Sequence, residues 1–347
     1  MRFKVVFILS ISISISMLMM GCGDNTKPKK NDIPLFEKFL AENPISEVSP
    51  IVSIASIYKP GDALFNGILF IQRDLWGNAI KELQPYVDNK DPDAMFWLAI
   101  ITYGSSVNNA PIAREMFIES AELGNPYAAL FFSPKNNECK KYFPTDCDEK
   151  WVIKAQGLFA EKAKKGDVRG IYYSKILNNP THDEYINAVI EAAQNDYYYP
   201  LVDYANKTVR KNEPNKEMEK LAIKLLQYAR YNNFVPAIDL LITNEYKNEQ
   251  SGSKLKKELD IQGIALGSND VWKSYVVFSR HNKSYTNNEK YIIAKAADIF
   301  NGSIIGLNLV DEPKNERELI EANKKAQQKA DEIKKIIFID GANLQSY

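Results

Sequence analysis

The sequence predicts an all-α fold, an α-solenoid of stacked antiparallel helix pairs closed by a C-terminal capping helix. Three observations predict it. A short pattern of small, turn-forming and again small residues recurs along most of the 347-residue chain, at intervals in the mid-thirties that mark stacked helical pairs. The middle position of that pattern is a residue type that ends helices. Near the C-terminus one apolar stripe at helical spacing lies opposite a face rich in Glu, Lys and Gln, as a terminal helix requires.

The chain begins with a leader. Arg2 and Lys4 precede the short apolar run Val5 to Met20, which ends in "LMMGCGD". The run is too short and too serine-interrupted for a membrane span, which needs about 20 apolar residues, and it fits a secretory signal. Gly21-Cys22 resembles the bacterial lipobox, with Met19 standing where leucine is commonest. The resemblance implies cleavage before Cys22 and acylation of that cysteine. Gly23 rather than aspartate follows it, which implies an outer-membrane lipoprotein facing the periplasm. Residues 1–21 are then the signal and 22–34 a polar, lysine-rich tether.

The helical body follows in two parts, residues 35–245 and a more divergent 246–347. Its clearest copies place Ala121, Gly124 and Ala128; Ala163, Gly166 and Gly170; Ala193, Asp196 and Pro200; and Ala229, Asn232 and Pro236. Weaker copies are Val87, Lys90, Ala94; Ile264, Gly267, Val271; and Ile299, Gly302, Gly306. The first column packs near a helix end, with a bulky apolar residue one turn earlier at Leu83, Phe117, Phe159, Val189 and Leu225. The second tolerates the left-handed conformation, and the third suits the close start of the next helix. Ala121 and Ala163 are therefore expected as buried helix positions, and Gly124 and Gly166 at positive φ. The last two copies carry Asp260 and Lys295 where the bulky residue stands elsewhere.

The pattern resembles the Sel1-like repeat, a relative of the tetratricopeptide repeat, over roughly residues 60–310. The resemblance implies a right-handed superhelix and a binding scaffold rather than a catalyst. One repeat interval is overlong and holds "NNECKKYFPTDCDEK". An insertion closed by a Cys139–Cys147 disulfide explains both the extra length and the cysteines, since the periplasm is oxidising; closing about nine residues stabilises by about 2.5 kcal/mol. The last element is the stripe Leu319, Ala322, Ala326, Ala330, Ile333 and Ile337, read as one capping helix.

Basic and acidic residues balance at 44 each, and Arg2 and Lys4 leave with the leader, so charge offers no case for a nucleic-acid partner. No phosphate-cradling glycine loop, nucleophile elbow or His-Glu-x-x-His is present. The cysteines and two scattered histidines do not make a metal site, and no cofactor is expected. His182 reads as the first turn of a helix capped by Thr181; as a general base with Asp183 it would have no nucleophile. The expectation is a non-enzyme.

Partner recognition has two candidates. Positions three beyond the last column form a row of Trp97, Phe131, Tyr173, Asp203, Asp239, Ser274 and Leu309, whose chemistry changes from aromatic to acidic as a uniform core would not; Tyr198 lies close by. The second is Phe278 to Tyr291, read as a polar loop with Arg280, His281, Lys283 and Tyr285. Three functions compete: a lipoprotein that neutralises one protein partner, an envelope scaffold, and an unrecognised hydrolase. Anchor, repeats and C-terminal module together resemble immunity lipoproteins paired with type VI lipase effectors, which favours the first.

Overall fold

The computed structural model describes residues 24–52, 55–210, 215–247, 253–304 and 306–343; Cys22 and the leader lie outside them. Within these residues there are 17 α-helices and no strand. None of the helices is long and apolar enough to cross a membrane. The chain is an all-α solenoid in which consecutive helices pack as neighbours. Its helix pairs are α3 (Trp76–Asp88) with α4 (Pro92–Ser105), α5 (Ala110–Glu122) with α6 (Pro126–Phe131), and α8 (Glu149–Lys164) with α9 (Val168–Ile176). Then follow α10 (His182–Gln194) with α11 (Tyr199–Val209), α12 (Lys216–Tyr231) with α13 (Val235–Lys247), and α14 (Lys254–Leu266) with α15 (Asn269–His281).

One turn chemistry builds these pairs. After α5, the Gly124 N–H donates to the Ala121 carbonyl and the Asn125 N–H to that of Ser120. This doubly bonded ending satisfies carbonyls that the helix itself leaves free. The same two bonds recur at Lys90, Gly166, Asp196, Asn233 and Gly267, each at positive φ. They also occur at Asp74, between α2 (Phe65–Gln72) and α3, a copy that the sequence pattern missed. In the α12 copy the positive φ belongs to Asn233, not Asn232, so the expected register there is one residue early. Where the next residue is Asp91, Asn125, Asp167 or Ser268, its side chain caps the second helix by accepting from the N–H of Ala94, Ala128, Gly170 or Val271. The turn therefore ends one helix and starts the next with two adjacent residues.

The small columns mark where the two helices touch. A Cβ on Gly170 would lie 2.6 Å from the backbone nitrogen of Ala163, on the preceding helix. Ala121 is fully buried, whereas Ala163 is half-buried. Leu83, Phe117, Phe159, Val189 and Leu225 are all completely buried, as expected. In α14 the helix instead presents Leu259 and Gly263 to the core, and Gly263 lies so close to Val271 that no Cβ would fit. That one-residue rotation explains why Asp260 stands at the nominal apolar position.

The overlong interval is α7 (Asn137–Tyr142), inserted between α6 and α8 and closed by Cys139–Cys147, whose Cα atoms are 5.9 Å apart. Cys139 is completely buried, and the loop's Asp146 pairs with Arg114 of α5. A smaller second core unites α15, α16 (Asn287–Asn301) and α17 (Glu316–Asp331) around Trp272, Phe300 and Ala326.

Two features reach beyond a simple array. The stack closes on itself: Asn269 Nδ2 donates to the Gln72 carbonyl at 2.9 Å, and Arg73 stacks over Phe300 at 4.8 Å. The α2 end thereby meets the α14–α16 end. Second, the interior is filled by the chain's own extended segments. After α1 (Ile33–Glu42), whose Phe36 and Phe39 pack on Tyr204 and Tyr228, the chain returns along the stack. Asn233 donates to the Ser49 carbonyl, Arg169 to that of Ala55, and Trp97 to the Tyr58 hydroxyl.

The C-terminal stripe needs correcting. Ala322, Ala326 and Ala330 are buried on α17, but the helix ends at Asp331. Ile333 and Ile337 belong to a tail, residues 332–343, that follows it and has only an isolated bridge at its end. The tether also departs from expectation. Asp32 is buried, accepting from His182 Nε2 at 2.6 Å and from the Tyr204 hydroxyl at 2.8 Å, while Asn25 bonds His182 and Pro180. Residues 24–32 are thus pinned to the start of α10 through Asn25 and the buried Asp32, while most of their side chains stay exposed.

Candidate functional site

The interior row was the leading sequence candidate, and the structure places most of it in the core. Trp97 is 1% exposed and Tyr198 equally so, and Phe131, Tyr173 and Asp239 are buried. Phe131 stacks on Phe117 at 4.2 Å and Tyr173 on Phe159 at 4.6 Å, so these side chains hold successive helices together. Asp239 is not a member of the row. With the register set by Asn233, that place is Leu240, and Asp239 instead accepts from the Ser268 hydroxyl, linking α13 to the cap of α15. Asp203 is half-exposed and paired with Lys207 at 2.7 Å. The change from aromatic to acidic reflects these separate packing tasks, not a recognition surface.

The tail seals that interior. Buried extended backbone must find hydrogen-bond partners, and side chains supply them. Gln72 donates to the Ile336 carbonyl at 2.9 Å and accepts from the N–H groups of Phe338 and Ile339 at 2.8 and 3.3 Å. Ser56 donates to the Ile337 carbonyl at 2.7 Å. Asp340 is completely buried; one oxygen closes a turn with Ala342 and Asn343, and the other faces Arg169 Nε at 3.5 Å. Arg169 also lies over the Tyr197 ring at 4.6 Å. Burial by itself would lower the Arg169 pKa, but the Asp340 carboxylate facing it is the main cause that holds it above the ordinary value. Burial pushes Tyr127 and Tyr197 well up, and the Asp340 charge adds to it, so both remain neutral phenols. Cavities of about 360 and 350 Å³ persist on either side of the tail, beside Phe338 and beside Gly341.

The second candidate region is open. Helices α15 and α16, with Ser303, Gly306, Leu309 and Val310 of the chain that follows, enclose a cavity of about 220 Å³ whose apolar lining includes Val276, Val277 and Ala297. Lys273, Arg280 and Lys290 line it too. An adjoining depression of about 200 Å³ shares Arg280, Lys290, Leu309 and Val310 and adds Asn287 and Asp311. Of the cavity's lining residues Val277 and Leu309 are exposed, and so are Phe278, at 59%, and Ile304, which follow lining residues in the chain. Lys273 pairs with Asp270 at 3.6 Å, whereas Arg280 and Lys290 have no ion pair among the described residues. Arg280 is exposed; Tyr285 is half-buried beside Tyr275, and Ser274 half-buried on α15. Sequence reasoning found Arg280 and Leu309 here for unrelated reasons. It missed Lys290 and Val277, which ordinary helix patterning hides.

Compared with known proteins, the chain matches no family model, no curated protein and no solved structure.

Proposed function

We propose that this protein is a lipid-anchored, non-catalytic binder of one protein partner in the bacterial envelope, built on Sel1-like repeats and serving as an immunity protein against a secreted lipase-type effector. The observation that carries the reading is the apolar and cationic surface on α15 and α16. There, exposed aliphatic side chains lie beside two cations without an ion pair among the described residues, while the repeat interior receives residues 55–58 and 336–340. Contiguous apolar surface on a folded protein marks an interaction site. The two histidines support a non-enzyme: His182 is committed to Asp32 and Asn25, and His281 ends α15 in solvent.

The anchor rests on the leader and Cys22. Cys22→Ala should abolish lipid labelling and release the protein from membranes. The role is tested by deleting the gene with and without an adjacent candidate toxin gene, then competing each strain against toxin-delivering siblings. A deletion strain that survives as well as its parent refutes immunity; an envelope defect without any competitor supports the scaffold reading instead.

A further inference from the structure

We infer that the α15–α16 cavity and its cationic shelf receive an acidic-apolar peptide segment of the protein partner, one aliphatic or aromatic side chain entering the cavity and flanking carboxylates meeting Arg280 and Lys290. The inference rests on the protein-binding reading above and names the chemistry of its surface.

The site has two unlike halves sharing one wall. The first is a depression whose apolar lining is Val276, Val277, Ala297, Leu309 and Val310, with Lys273, Arg280 and Lys290 also on its walls, large enough at about 220 Å³ for a single large side chain. The second, about 200 Å³, is polar and is walled by the same Arg280 and Lys290. Lys273, which lines the first half, is already paired with Asp270, and Asp311 is the one carboxylate lining the second. Arg280 and Lys290 therefore leave a local positive excess next to an apolar hole. An occupant matches both halves only if it carries apolar bulk and negative charge within a few ångströms. A free amphiphilic anion has that chemistry too, but it would fill the hole and leave the exposed Phe278 and Ile304, next in the chain to lining residues, in water; a polypeptide is long enough to reach them. Its anchor residue would sit in a desolvated pocket with charges at the margin, the arrangement in which a few side chains dominate affinity.

The test uses the full chain and a random 12-residue peptide library displayed on phage. Selection on the wild type should enrich peptides with an aliphatic or aromatic residue next to Asp or Glu. Those peptides, synthesised and titrated by fluorescence polarisation, should bind at least tenfold more weakly to Arg280→Glu/Lys290→Glu and to Val277→Asp, and more weakly at high salt. Unfolding midpoints equal to wild type certify that the variants fold. No enrichment, enriched peptides without acidic residues, or equal binding by the variants overturns the inference. So does decanoate that displaces nothing acidic yet itself saturates the cavity, since the site would then be a lipid site. Because no toxin is present, a negative result here leaves the survival assay intact, and a failed survival assay leaves the peptide chemistry standing.

Discussion

Replacing Gln72 with methionine isolates what holds the tail inside the ring. The two side chains have similar length and volume, so the change adds little cavity cost. It removes the partner of three buried backbone groups at once: the Ile336 carbonyl and the N–H groups of Phe338 and Ile339. Each buried group left without a partner costs about 1–3 kcal/mol. Taking the low end for each, because water can enter from the 360 Å³ cavity beside Phe338, the loss is about 3 kcal/mol. That is a large share of a domain stability of roughly 5–15 kcal/mol. Urea unfolding measures the total. Hydrogen exchange in residues 333–343 measures the place, and should accelerate on the order of a hundredfold, at tenfold per 1.4 kcal/mol. A loss below about 0.5 kcal/mol with unchanged exchange in the tail would refute the reasoning, for the tail would then be held by its apolar side chains alone.

Other expectations follow from single sites. Gly166 has φ +80° and nothing within 4 Å of an added Cβ, so Gly166→Val should cost about 1–2 kcal/mol through backbone strain alone, and Gly166→Asn less; equal urea midpoints for all three would contradict the turn. Arg169→Met or Asp340→Ala alone should each cost about 3 kcal/mol or more, and the double variant much less than their sum, because one partner removed strands a buried charge; an additive double-mutant cycle would deny the coupling. Hydrogen bonding to Arg114 holds the Asp146 carboxyl below its ordinary value of 3.8. That contribution is full above the unfolded value and is lost as pH falls below about 4, through the lowered folded value. Wild type should accordingly lose more stability than Arg114→Ala between pH 5 and pH 3 in chemical denaturation, by about 1 kcal/mol; parallel curves would remove Asp146 from the account.

The helix pairs were legible because their punctuation is local. Gly124, Gly166, Asp196 and Gly267 announce a left-handed residue wherever they stand, and the cysteines announced the insertion by its length. The misplaced Asn232 shows the limit of such reading: two adjacent asparagines are equally able to take positive φ, and only the hydrogen bonds choose Asn233. Ile333 and Ile337 were misassigned for a related reason. Their spacing from Ala330 continues the helical stripe, and periodicity cannot separate a buried extended run from a buried helix face. The return of residues 49–52 and 55–58, the docking of Asp32 on His182 and the closure between Gln72 and Asn269 left no local trace at all. Most of their bonds join residues 114 to 281 positions apart, where no window on the sequence can see both partners. The interior aromatic row misled because chemistry that varies along a column also arises when each neighbour demands something different.

Closure of the stack has a mechanical consequence. An open array of helix pairs behaves as a spring, since each repeat touches only its neighbours and small rotations accumulate along its length. Here the Asn269–Gln72 bond and the Arg73–Phe300 stack join the first turns of the spring to the last, and the tail crosses several coils from within. Pitch and curvature cannot then change in one repeat without breaking contacts at the seam. The partner proposed above would meet a stiff hoop whose outer surface is already shaped, so docking would spend little on ordering this chain, and complementarity would come from the partner's own accommodation or from a fit prepared in advance.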